Sequence, residues 1–215
     1  MIVEEIMSRN VITLTEQDTI QTAMKVMREK KIRHIPIIDA DCHCIGLVST
    51  QDIRDATPSI FFSNEHQEVL QKPLNSIMKT NVITGHPLDF VEDTAVVFYE
   101  NKIGCMPILS NKKLVGIVSE TDLLNTFVEL TGANQPGSQI QVKVPNRTGV
   151  LSDIANIFKM NKVNIQSVLV YPDPSDYGFK VLVIRVQTMN PLTVVSSLKG
   201  HGYIVLWPKE PEFSS

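Results

Sequence analysis

Gly46-Leu47-Val48-Ser49-Thr50-Gln51-Asp52 returns as Gly116-Ile117-Val118-Ser119-Glu120-Thr121-Asp122, at an offset of 70. Working outward, Ile35-Pro36-Ile37 returns as Met106-Pro107-Ile108, Asp18 as Asp89, and Ile6–Thr13 as Ile77–Thr84, now at an offset of 71. One residue is lost between Asp39–Cys44 and Ser110–Leu114, where a hairpin loop tolerates deletion. Self-similarity over so long a stretch marks an internal repeat.

Each copy reads as the same βαββα unit. Val11–Thr13 is predicted as a short opening strand. Asp18 with Gln21, and Asp89 with Glu92, have capping-box spacing and predict a helix start. Ile20, Ala23, Met24 and Met27 follow at helical spacing, and Val91, Thr94, Ala95 and Phe98 repeat that face. Ile35–Ile38 and Ile45–Ser49 read as a strand pair, and Ser49–Asp55 starts a second helix. A unit of about 50 residues buries little surface by itself, so two copies are expected to pack about a pseudo-twofold axis.

The pattern divides the chain into a first copy at 1–60, a connector at 61–76, a second copy at 77–130, a linker at 131–138 and a tail at 139–212. Phe61-Phe62 and Val69-Leu70 are too apolar for a free linker, so the connector is expected to pack as helix. Thr131-Gly132-Ala133-Asn134-Gln135-Pro136-Gly137-Ser138 is helix-breaking. In the tail, Ile140, Val142 and Val144 alternate along a strand, and Leu151, Ile154, Ala155 and Phe158 form a helical stripe. Ile165–Val170 and Phe179–Val186 are strands joined through Pro172-Asp173-Pro174, Leu192–Leu198 is a helix, and Tyr203–Trp207 closes the order βαββαβ. That is a ferredoxin-like arrangement. The fold class expected is α/β (α+β).

Composition removes several classes of function. The chain has 215 residues, 43% hydrophobic and 20% charged, with a net charge of −3. That balance gives no broad cationic field for nucleic acid or anionic lipid. Apolar runs such as Val181–Ile184 fall far short of the roughly 18 residues of a membrane helix. The acidic start Met1-Ile2-Val3-Glu4-Glu5 is unlike a signal peptide. Cys42, Cys44 and Cys105 are an odd number, against a disulfide framework. A cytoplasmic protein with no membrane or nucleic-acid partner is expected.

The repeat resembles a tandem pair of CBS domains, a Bateman module, over about residues 1–130. Ile32-Arg33-His34-Ile35-Pro36 followed by Gly46–Asp52, and Ile103-Gly104-Cys105-Met106-Pro107 followed by Gly116–Asp122, carry the likeness. The resemblance implies an adenine nucleotide (AMP, ADP or ATP) as a regulatory ligand rather than a catalytic cofactor. A helix starting at Ser49 offers free N–H groups and a positive dipole end to a phosphate. The Ser49 and Thr50 hydroxyls add donors, and the Asp52 carboxylate can accept from ribose hydroxyls. The strand around Arg33, His34, Ile35 and Pro36, with Thr13, would line the base. In the second copy Thr84, Cys105, Met106, Pro107, Ser119 and Asp122 take those places. Ser-x-x-Asp is also capping-box spacing, so helix capping alone stands as a second reading. Glu120 replaces Thr50 and would place an anion beside the phosphate. Lys30, Lys31, Arg33 and Arg54 belong to the first copy. The site of Ser49 and Asp52 is therefore expected to bind more tightly.

The tail resembles an ACT domain, carried by Val144-Pro145-Asn146-Arg147-Thr148-Gly149-Val150-Leu151. The family pattern Asp-Arg-Pro-Gly-hydrophobic-Leu has Asn146 in place of the acid and Thr148 in place of the proline. The resemblance implies a small effector such as an amino acid at Asn146, Gly149, Val150 and Leu151, or else a dimerisation surface that covers strand edges. The whole order resembles the bacterial acetoin-utilization proteins, which implies a role in acetoin or butanediol breakdown and in growth or sporulation on them. No nucleophile elbow, Walker loop or Gly-x-Gly-x-x-Gly accompanies these modules. Cys42-His43-Cys44 is short of four metal ligands, so no metal is expected. A non-catalytic sensor is expected, homodimeric and acting on an unidentified target protein. A structural scaffold that binds no nucleotide is the alternative.

Overall fold

In the computed structural model, which describes residues 1–57 and 68–209, the chain divides into two units, Met1–Leu124 and Asn125–Ser215. Phe61 and Phe62 of the expected connector lie outside the described residues. Residues 68–70 are helical, and Leu74–Ser76 form a 3-10 turn.

In the first unit the first copy contains α1 (Ile20–Lys30), β1 (His34–Ile38), β2 (Cys44–Ser49) and α2 (Thr50–Ala56). The second contains α3 (Val91–Asn101), β3 (Cys105–Ser110), β4 (Lys113–Ser119) and the start of α4 (Glu120–Thr131). Each copy has one antiparallel pair, β1 with β2 and β3 with β4. The opening strand shrinks to a single parallel bridge, Leu14 to Ile37 and Gly85 to Ile108. Leu14 spans the one place it can pair, donating to the Pro36 carbonyl and accepting from Ile38 N–H.

The helix starts also differ from the expected ones. Thr19 caps α1, accepting from Thr22 N–H at 3.2 Å, and Phe90 precedes α3 with no side-chain cap. Asp18 instead accepts from the amide and hydroxyl of Thr15 at 2.7 and 2.8 Å, and Asp89 from the His86 amide at 2.7 Å. These carboxylates close the turn before the helix, one residue too early to cap it. Ile20, Ala23 and Met27 are buried as expected, and so are Val91, Thr94 and Phe98, while Ala95 is exposed.

The two copies exchange their leading segments. Val3 and Glu4 donate to the Asp89 and Pro87 carbonyls of the second copy, and Ser8 bridges Ile117. Leu74 and Asn75 donate to the Asp18 and Glu16 carbonyls of the first, and Lys79 bridges Leu47. Val3 and Met7 thus enter the core of Phe98, Met106, Ile108 and Val118. Leu74 enters the core of Ile20, Ile35, Ile37 and Val48. Gly46 and Gly116 permit the exchange. A Cβ on Gly46 would stand 2.7 Å from the Met78 sulfur, and one on Gly116 would stand 2.5 Å from that of Met7. Only a residue without a side chain admits so close an approach.

The second unit contains β5 (Ser138–Pro145), α5 (Val150–Met160), β6 (Ile165–Pro172), β7 (Phe179–Val186), α6 (Leu192–Gly200) and β8 (Ile204–Trp207). The sheet order is β6-β7-β5-β8, antiparallel throughout, the ferredoxin-like topology. Ile140, Val142 and Val144 of β5 pack under Ile154, Ile157, Phe158, Val194 and Leu198. The buried face of α5 runs through Val150, Ile154, Ile157 and Phe158. Leu151 and Ala155, expected on that face, are exposed, because the spacing from Val150 meets the sheet one residue earlier. Lys143 and Asp173 form an ion pair of 2.6 Å below the Phe179 ring, and Asp173 also accepts from Ser175.

Candidate functional site

The Ser-x-x-Asp segments do cap their helices. Ser49 Oγ accepts from Asp52 N–H at 3.2 Å, while Asp52 Oδ2 accepts from the Ser49 amide at 2.7 Å and hydroxyl at 2.5 Å. Ser119 and Asp122 repeat this at 3.4, 2.7 and 2.6 Å. One carboxylate oxygen therefore works inside the cap, and its twin determines what else the residue does. In Asp52 that twin, Oδ1, meets Lys79 Nζ at 3.2 Å. Burial pushes the Asp52 carboxyl up, but its Ser49 hydrogen bonds and Lys79 outweigh this and hold it below the usual carboxylate range.

Because the leading segments are exchanged, each Ser-x-x-Asp faces the other copy. Ser119, Thr121 and Asp122 share a cleft of about 330 Å³ with Ser8, Asn10, Val11, Ile12, Lys31, Arg33, His34 and Pro36. Ser49 and Asp52 share one of about 240 Å³ with Lys79, Asn81, Val82, Ile83, Lys102 and Gly104. Here they are called the Asp122 cleft and the Asp52 cleft. Each joins a capped helix start and its aspartate to an apolar slot and two cations. Such an arrangement suits a flat apolar base, a hydroxylated sugar and an anionic group.

Not every expected residue lies in a cleft. Arg33, His34 and Pro36 line the Asp122 cleft, and Cys105 lines both. Ile35 and Pro107 are buried in the strands, and Thr13 lines neither cleft. Met106 and Thr84 line a separate hollow beside α3. Thr50 donates its amide to the Arg33 carbonyl and lines another hollow, with Arg54. Glu120 is not among the residues that line either cleft, but its carboxylate lies near Gly104 and acts on the His34 ring. The cations sort across the copies. Lys31 and Arg33 serve Asp122, whereas Lys79 and Lys102 serve Asp52.

Sequence reasoning passed over Ser8, Asn10, Lys79 and Asn81, and it placed Lys31 with the Ser49 site of its own copy. The repeat held a signal for them, since Asn10 returns as Asn81 and Lys31 as Lys102. Both lysines end their helices with positive φ, 54° and 52°.

In the second unit Asn146 N–H donates to the Gly178 carbonyl at 2.8 Å, and Gly149 precedes α5 with φ 84°. Val150 is buried in the core and Leu151 is exposed. Arg147 pairs with Asp153 at 2.6 Å. In the β1–β2 hairpin Asp39, Asp41 and His43 come together, with Asp39 accepting from the amides of Asp41 and His43. Those bonds close the turn, and Cys42 and Cys44 are outside the group. Among the described residues no helix is long and apolar enough to cross a membrane.

A family model for the CBS domain matches residues 3–59 and 74–129. The chain belongs to the CBS-domain family. A model for the ACT domain matches residues 138–200, so the CBS pair is followed by an ACT domain. The CBS pair is similar to the Vibrio cholerae protein assigned to acetoin utilization (AcuB), with 29% identity and a TM-score of 0.55 over 63% of this chain and 98% of that one. It is also similar to the CBS domain pair of protein MJ0100, whose structure holds 5′-methylthioadenosine and S-adenosyl-L-methionine. The identity is 26% and the TM-score 0.52, over 63% and 98% of the two chains. Homoserine O-acetyltransferase of Methanococcus vannielii is 32% identical over 127 residues, 59% of this chain. The match spans only 25% of that enzyme. CBS domains are regulatory modules, and similar pairs hold adenosine-based ligands.

Proposed function

We propose that this chain is a non-catalytic sensor whose CBS pair, in copies 1–60 and 77–130, binds an adenine nucleotide. The observation that carries this reading is the Asp122 cleft. It sets a capped helix start, a carboxylate, an apolar slot and Arg33 with Lys31 around one space large enough for a nucleotide. The adenosine ligands of the MJ0100 pair support the same chemistry. Lys31 and Arg33 favour AMP, ADP or ATP over uncharged adenosines. The preference moves to the Asp122 cleft, because Lys79 is already engaged by Asp52.

Such a sensor would pass its signal to a target protein. The second CBS copy exposes Leu88, Phe90, Val96 and Tyr99, where the first carries Gln17, Thr19, Lys25 and Arg28. The ACT edge strand β6 exposes Val168, Leu169, Val170 and Tyr171. These apolar surfaces support a homodimer and a target protein. Asn146, Gly149, Val150 and Leu151 remain the proposed place for a small effector, in a tail module spanning 139–212. The likeness to AcuB supports a role in acetoin or butanediol use, in the cytoplasm. The capping boxes support the second reading, a scaffold that binds no nucleotide.

Thermal melts in millimolar AMP, ADP and ATP separate the two. A nucleotide at about 100 times its Kd adds about 2.7 kcal/mol of stability, a clear rise in melting temperature. Flat melts with all three would leave the scaffold.

A further inference from the structure

His34 and Cys105 hold the same place in the two copies, and each lines both clefts. β1 pairs His34 with Ser49, and β3 pairs Cys105 with Ser119. Each therefore stands beside its own copy's cap while facing the cleft of the other. The wall between the clefts is one layer of side chains, and the layer is unequal, with an imidazole on one side and a thiol on the other. Gly104 makes room for the ring. A Cβ there would stand 2.9 Å from His34 Cε1 and 3.2 Å from Nε2, and the first copy has Arg33 in that position.

Behind this wall Ile35, Ile37, Met106 and Ile108 are buried. A close-packed core does not yield to make space. Volume gained by one cleft at His34 is then lost by the other. Burial and the neighbouring Arg33 hold the imidazole below its ordinary pKa, against the pull of Asp52 and Glu120. The ring is neutral near pH 7 and can shift without moving a charge.

We propose that His34 makes the two clefts anticooperative, so that a nucleotide seated in the Asp122 cleft presses the ring over Gly104 and narrows the Asp52 cleft. By reciprocity a ligand in the Asp52 cleft weakens the other by the same factor. The chain then holds one adenine nucleotide tightly and a second weakly. This rests on the nucleotide reading above.

The test is calorimetric titration of the full chain with AMP. Asp52→Ala and Asp122→Ala each leave one cleft and give its intrinsic Kd. In the unaltered chain the second Kd is expected to be at least about fivefold weaker than the intrinsic Kd of the same cleft, the lower end of ordinary coupling. His34→Cys makes the wall alike on both sides and should bring each Kd to its intrinsic value. His34→Asn is a second variant should the first fail to fold. Stepwise constants equal to the intrinsic ones would overturn the proposal. Coupling that survives both His34 variants would overturn it as well, and so would an Asp52 cleft that stays empty in the Asp122→Ala chain. No AMP binding by any folded variant would overturn the nucleotide reading itself, and this proposal with it.

Discussion

The two clefts are made of the same parts and differ in which cations stand beside each aspartate. In the Asp52 cleft one carboxylate oxygen serves the cap and the other holds Lys79. In the Asp122 cleft Lys31 and Arg33 stand across from the aspartate. A repeat thus yields two sites of one design, and single substitutions tune them apart. The exchange of leading segments sets which residues meet. Without it Arg33 would face Asp52, and the charge pattern along the chain would describe the sites directly.

The exchange is the first thing to break. Leu74 lies in the lead-in of the second copy but is fully buried in the core of the first. Leu74→Ala should cost about 2–5 kcal/mol in urea unfolding, the range for a large-to-small core change. A loss within about 0.5 kcal/mol, as for a surface site, would show that the segment does not hold the copies together. Val3→Ala should act in the same direction from the other side, and less strongly, because fewer atoms are removed.

The cation contrast comes next. Arg33→Ala should weaken AMP by about 1.5–3 kcal/mol, the value of a hydrogen bond to a charged group, and leave adenosine nearly unchanged. Lys79→Ala should weaken AMP less, since Lys79 gives up an existing partner to bind phosphate. Equal losses of AMP and adenosine in Arg33→Ala would remove the phosphate from its assigned place.

The copies also differ on their outer faces. Tyr99 is 85% exposed and Val96 52%, where the first copy has Arg28 and Lys25. A double change, Val96→Lys with Tyr99→Arg, gives the second copy the surface of the first. It should shift sedimentation toward the monomer, by about 1 kcal/mol or more of association energy if these side chains sit at the centre of the interface. Unchanged sedimentation would remove this face from the proposed dimer.

Much of this was readable from the chain. The repeat offset, the Gly-led strands and the βαββαβ order all follow from local pattern and turn chemistry. The exchange was not readable, because Met7 and Met78 look alike to any periodicity and only packing decides which core each enters. Asp18 and Asp89 show a similar limit. A carboxylate near a helix start can cap it or tie the turn before it, and one residue of register separates the two. Arg33 and Lys31 could be found as cations, but their partner in space is an aspartate some 90 residues away. Gly104 has meaning only once the His34 ring lies against it.

The smallest effect expected is a pH dependence, and it isolates His34. Burial and Arg33 push its pKa below the ordinary 6.5, with Lys79 adding to them and Asp52 and Glu120 opposing. Below pH 6.5 the unfolded chain then binds more protons at this position than the folded one. Stability therefore falls with acid through that range, and it is fully present above it. Melting temperatures of the unaltered chain should drop between pH 7 and pH 5.5, and those of His34→Gln should drop less. Asp52, whose pKa is lowered, contributes its own loss only when acid approaches the carboxylate range, below the interval from pH 7 to pH 5.5. Parallel curves for the two proteins would mean that the ring is solvated and free to charge. A ring of that kind would not keep the two clefts apart by its bulk alone.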